Sequence, residues 1–169
     1  MVECVLKLDG SDELIAGFYE DNKTSSSQLS FEQLIPVAEK SLKTQGDAWG
    51  TTREPLFGTL DYKDGTYSFE TSGYPPDKWL KTVALKYPNL TFTLMACNIR
   101  WGDEGLKFYL AVRGDEILKD EISEWYTKIT KEDAIEFIKE QGWDPRAKYK
   151  DPVCHPDEVE TFIDNAEQE

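Results

Sequence analysis

The chain has 169 residues, room for one domain with a real core, and its 39% hydrophobic and 12% aromatic content excludes global disorder. It carries 33 acidic against 19 basic residues, a formal net charge of -14. That balance disfavours direct contact with a nucleic-acid backbone, where Lys and Arg must displace counterions, and favours a basic protein partner.

Val2, Cys4, Leu6 and Leu8 alternate with Glu3 and Lys7, the period of a half-buried strand. Gly10 breaks it. Ser11 is placed to cap a helix with Asp12 and Glu13 in its first turn, and Leu14, Ile15, Phe18 and Tyr19 form its apolar stripe to Glu20. A polar loop follows from Asp21 to Ser30. Phe31, Leu34 and Ile35 read as apolar anchors, and Pro36 suits the first turn of a short helix through Leu42, stopped by Gly46. The loop DAWGTTREP then carries one large aromatic, Trp49, beside Gly50. Trp49 reads either as a plug over one end of the core or as the wall of a binding site.

Leu56–Ala96 reads as strand, turn, strand, helix and strand. Leu56, Leu60 and Tyr62 share one face, Asp64-Gly65 suits a tight hairpin turn, and Tyr67, Phe69 and Thr71 share a face on the return strand. Pro75-Pro76 opens a helix whose stripe is Trp79, Leu80, Val83, Ala84 and Tyr87; Pro88 ends it. Leu90, Phe92, Leu94 and Ala96 alternate as a strand, and Leu106, Phe108, Leu110 and Val112 form the return strand of a hairpin whose connection carries Trp101. Beyond Gly114 the character is charged and helical. Thr130 followed by Asp133 resembles a capping box ahead of Ala134, Ile135 and Ile138, and a last helix is expected from Pro156. Asp151–Glu169 holds seven acids and no Lys or Arg, half of the whole excess.

This order predicts an α+β fold: a ferredoxin-like antiparallel sheet, β-α-β-β-α-β plus an extra edge strand, with helices on one face and further helices at the C-terminus. The expected organisation is a domain over residues 1–115, with an insertion at 21–55, and an acidic helical extension over 116–169 packed on it. The sheet's second face should be open and polar, carrying Thr59, Asp61, Ser68, Glu70, Thr91 and Thr93 with Tyr109 as its main aromatic. Such a face lacks the aromatic pair and basic surround of RNA-binding sheets.

Several stretches resemble the YubB ferredoxin-like domain proteins of plasmids and phages, over about the first two thirds of the chain. Cys4–Gly10 resembles the family's opening strand. Phe31, Leu34, Ile35 and Pro36 resemble its F-x-x-I/L-I/V-P stretch. Trp49-Gly50-Thr51-Thr52-Arg53-Glu54 resembles its W-G-T-K-W-D loop. Phe69, Thr71, Tyr74-Pro75-Pro76 and Trp79 resemble its F-x-T-x-W-x-P-P-x-x-W signature, and Tyr87-Pro88-Asn89-Leu90-Thr91-Phe92 its F/Y-P-D/N-L/I-x-F/I segment. Arg53 stands where the pattern has a second Trp, Glu54 where it has Asp, and Gly73 precedes Tyr74. The resemblance implies a protein of a mobile genetic element and carries no defined activity.

His155 is the only histidine, and its neighbour Cys154 is badly placed for a thiol–imidazole pair. Cys4 and Cys97 fall on core faces or strand ends. The three cysteines form no CxxC pair, which fits a reducing cytoplasm, and no phosphate-binding glycine loop or EF-hand spacing occurs. The opening MVECVLKLDGSDE lacks the basic and apolar runs of a signal peptide, and no stretch reaches the ~18 apolar residues of a membrane span. No catalytic residue, metal ligand or cofactor is therefore assigned.

Three readings follow. The first is a non-enzymatic protein-binding protein, in its sharpest form an acidic inhibitor that occupies the nucleic-acid groove of a host defence protein. Its contact residues would be Trp49, Thr51, Arg53, Trp101, and Asp157, Glu160 and Asp164 at helical spacing. The second is a small-ligand protein or enzyme with the Trp49 loop as its pocket. The third is a structural accessory protein that forms a homodimer through an open sheet edge.

Overall fold

In the computed structural model the described residues are 1–61, 65–101, 104–122 and 127–143. β1 (Val2–Asp9) lies near the middle of a seven-stranded sheet, flanked by β3 (Thr66–Thr71) and β4 (Thr91–Trp101). β2 (Leu56–Asp61) lies outside β3, and β5 (Glu104–Arg113) outside β4. Two short strands share the far side of β5: β6 (Glu116–Asp120) along its C-terminal half and β7 (Thr127–Thr130) along its N-terminal half. Every strand pair is antiparallel.

The main core lies under one face. Val2, Cys4, Leu6 and Leu8 of β1 meet Tyr67 and Phe69, then Phe92, Leu94 and Ala96, as their alternation predicts. Two helices cover them. α1 (Asp12–Asn22) is capped by Ser11, whose hydroxyl accepts from the Leu14 N–H, and buries Phe18 and Tyr19. It runs two residues past the expected end at Glu20. The segment between α1 and β2 holds two short helices, α2 (Phe31–Leu34) and α3 (Leu42–Trp49). Downstream of β3, α4 (Asp77–Lys86) buries Trp79, Leu80, Val83 and Ala84.

The stretch from Pro36 to Leu42 is not the expected helix; it separates two. Ser30 caps α2, and Pro36 holds Ile35 out of the helical region, at φ -127° and ψ 77°, so α2 stops at Leu34. Ser41 and Thr44 form a reciprocal capping box that starts α3. Gly46 lies inside that helix, and Gly50, at φ 84°, ends it.

Beyond Gly114 the chain also differs from the expected helical extension. β6 and β7 continue the sheet formed by the first 115 residues. The helical expectation failed there because the E-I-L-K-D stretch of β6 shows no period of either kind. Only α5 (Lys131–Glu140) is helical among the described residues of this region, and Thr130 caps it by accepting from the Asp133 N–H. α5 packs across the second sheet face: Ala134, Ile138 and Trp143 cluster with Val5, Cys97 and Ile99. Lys107 places its ammonium 4.4 Å from the centre of the Phe137 ring, and Lys7 donates to the Gln141 side chain at 3.5 Å. The face expected to be open is therefore partly covered: Ser68 and Glu70 are buried on it together with Glu3, while Thr91, Thr93 and Tyr109 stay partly exposed.

Candidate functional site

The loop singled out by the sequence is built as an internal clamp. Trp49 is fully buried at the end of α3, and its indole N–H donates to the Ile35 carbonyl at 2.9 Å. Its ring lies 5.6 Å from that of Phe31, which lies 4.9 Å from that of Trp79. Trp79 donates in turn to the Phe31 carbonyl at 3.2 Å. The Glu54 carboxylate closes the start of α2, accepting from the Phe31 and Glu32 N–H groups at 2.7 Å each and from the Ser30 hydroxyl at 3.4 Å. Thr51 is buried and donates to the Ser72 carbonyl at 2.8 Å.

Trp49 and Thr51 therefore present no surface to a ligand or partner here, and the plug reading of Trp49 describes its packing. The loop recruits these residues because α2 is too short to satisfy its own ends and borrows a carboxylate and two indoles. Arg53 alone of the three expected loop contacts is exposed. Trp101 ends β4 opposite Glu104, two strands from β3 and remote from the loop in the sheet order. Asp157, Glu160, Asp164, His155 and the helix expected from Pro156 lie outside the described residues.

The two described cysteines are poor nucleophiles. Burial pushes the Cys4 thiol far up, the neighbouring Glu3 and Glu70 carboxylates push the same way, and a hydrogen bond with Thr71 only partly offsets them. Burial and the Glu3 charge likewise raise Cys97 well above its ordinary value. Thiols held in that form react slowly. Among the described residues no group of three or more His, Cys, Asp or Glu is placed to hold a metal ion, and no helix is long and apolar enough to cross a membrane.

The exposed carboxylates of α5 make a different arrangement. Glu132, Glu136 and Glu140 recur every fourth residue, so they form one row with a spacing of ~6 Å along the helix axis. All three are exposed, and they line an open concavity of about 600 Å³ together with Ile135 and Lys139. The row follows from how α5 docks: Ala134 and Ile138 must face the sheet, which turns the 132–136–140 edge outward. The spacing E-x-x-x-E-x-x-x-E is the sequence signal of this row, and the denser acids after Asp151 outweigh it in composition.

The chain was compared with family models, with curated proteins and with solved structures. No match was found in any of the three. The α5 row and the clamp around Trp49 are thus described by their own geometry.

Proposed function

We propose that the chain is a non-enzymatic protein-binding protein that presents the carboxylate row of α5 to a basic partner surface. One observation carries this reading: Glu132, Glu136 and Glu140 are exposed in a single line along an open concavity with the apolar Ile135 among them. A row of like charges held on a rigid helix attracts a complementary basic surface and raises the rate of encounter. Ile135 adds an apolar contact that charge alone does not supply.

In its sharper form the reading makes the protein an acidic inhibitor, carried by a plasmid or phage, that fills the nucleic-acid groove of a host defence protein. The net charge of -14 supports it, as does the resemblance of the first two thirds of the chain to YubB-like proteins. We assign the sheet a ferredoxin-like core within the same proposal. The spatial order β2-β3-β1-β4, with α1 and α4 packed into one core under the same face, supports that assignment.

The test is affinity capture from host lysate with the whole chain, at low and high salt, against the variant Glu132→Lys/Glu136→Lys/Glu140→Lys. A captured protein that is released by salt, displaced by added duplex DNA and lost with the triple variant supports the inhibitor. Capture that survives both the charge reversal and high salt overturns it.

A further inference from the structure

We propose that the outer edge of β6 is a surface on which a second copy of this chain docks about a two-fold axis normal to the sheet. The inference is independent of the carboxylate row on α5.

Among the described residues β6 pairs with β5 alone. Its two apolar residues, Ile117 and Leu118, are 54% and 50% exposed. Two contacts fix how α4 runs past this strand. Lys81 of α4 forms an ion pair with Asp120 of β6 at 2.8 Å. At the other end, a Cβ on Gly114, in the β5–β6 turn, would lie 3.7 Å from Pro88, just beyond α4. α4 therefore runs alongside β6 in the opposite direction. Two strand residues back from Asp120, ~7 Å along β6, is Leu118. Ile117 and Leu118 thus form an exposed apolar pair on the edge strand, between the ion pair and the turn. Contiguous exposed apolar surface of this kind marks an interaction site more often than scattered residues do.

A β-bulge identifies the occupant. Ile117 faces Val112 and Asp120 faces Leu110, both on the helix-covered face; Lys119 faces Ala111 and Glu116 faces Arg113, both on the opposite face. Leu118 is the extra residue between them. The bulge therefore puts Glu116 and Lys119 on the same face, although they are three residues apart. A two-fold axis normal to the sheet reverses the strand and preserves its faces. With the axis at the bulge, Ile117 and Leu118 of one copy meet the same pair of the other. Glu116 of each copy then meets Lys119 of its partner, twice over. A regular strand would carry the two charges on opposite faces and could not make this arrangement. Lys119 is already held on that face, 4.9 Å from the Tyr109 ring centre and 3.2 Å from Glu121, so its ammonium is positioned beforehand.

Association between two acidic chains is opposed by their net charge, which salt screens. The self-contact should therefore persist or strengthen in salt, whereas binding to a basic partner weakens. The two proposals can fail separately.

Sedimentation equilibrium of the whole chain over a wide concentration range tests this one. The weight-average mass should rise from the 19.4 kDa of the monomer toward twice that value. Leu118→Asp should leave a monomer, and Lys119→Glu should weaken association at least about tenfold. The exchange Glu116→Lys/Lys119→Glu should restore it. These side chains are exposed, so the variants should fold, which circular dichroism checks. A wild-type chain that stays monomeric at every concentration overturns the proposal. So does a dimer indifferent to Leu118→Asp, an exchange that restores nothing, or a strand of another protein found on β6 in place of a second copy.

Discussion

Asp77 closes the space beside Gly50: a Cβ built on Gly50 would collide with the Asp77 carboxylate oxygen and lie 3.3 Å from the Asp77 backbone nitrogen. Gly50 also holds φ at 84°, the left-handed conformation that ends α3. The two demands coincide at one residue, which joins the end of α3 to the start of α4. Gly50→Ala should destabilise the protein by about 2 kcal/mol or more, from left-handed strain and the displaced carboxylate together. Urea unfolding measures it. A loss under about 0.5 kcal/mol would show that the two helix ends are not coupled through this contact.

The same carboxylate should make stability depend on pH. Burial raises the Asp77 carboxyl above its ordinary value, against the opposing effects of the Lys78 N–H and the Lys81 charge. The folded protein therefore binds this proton more tightly than the unfolded chain does. Its contribution to stability is greatest in acid and is lost as pH rises through the folded value. Asp77→Asn, which cannot ionise, should gain in melting temperature relative to wild type between acid and neutral pH. An unchanged difference from pH 3 to pH 7 would refute the assignment.

Glu54 is the polar half of the clamp around Trp49. Its carboxylate accepts two backbone N–H groups of α2 and the Ser30 hydroxyl. Glu54→Ala leaves those donors without this partner in a part-buried setting and should cost about 2–3 kcal/mol. Glu54→Gln keeps one acceptor oxygen and should cost less. Arg53→Ala, one residue away on an exposed side chain, should leave the melting temperature unchanged. Thermal melts of the three variants decide the order, and an Arg53→Ala loss as large as that of Glu54→Ala would contradict a clamp centred on Glu54.

These contrasts also mark how far the chain could be read from its residues. β1, β3, α4 and β4 were legible because each buries a face whose period matches its own geometry, as Val2–Leu8 and Trp79–Ala84 do. α2 and α3 are not legible in the same way, because Pro36 suits a helix start while the chain uses the caps at Ser30 and Ser41. β6 was illegible for a physical reason: all but its last residue are exposed, and its bulge breaks the alternation. Glu3 and Glu70 are directly opposite on β1 and β3. As charged residues on the alternate face they read as solvent-facing, and the packing of α5 over β1 and β4 on that face has no signal in their alternation. The aromatic loop was recognisable as special, but its composition did not distinguish a buried indole from an exposed one.

Gly105 governs how closely α5 approaches the sheet, and through it the position of the carboxylate row. A Cβ there would lie 2.7 Å from the Ala134 Cβ and 2.9 Å from the Thr130 carbonyl oxygen. Both neighbours belong to the start of α5 or its cap, and one is backbone, so the helix must shift to make room. Gly105→Ala should cost about 1–3 kcal/mol, the range for overfilling a packed contact. Adding Ala134→Gly removes the first collision but not the second, and itself costs about 1 kcal/mol in the helix. The double variant should therefore recover little of the loss. Hydrogen exchange should locate the effect in α5, with β1 and β3 still protected. If α5 kept its protection in the Gly105→Ala protein, this close approach would not be what holds the Glu132–Glu136–Glu140 row in place.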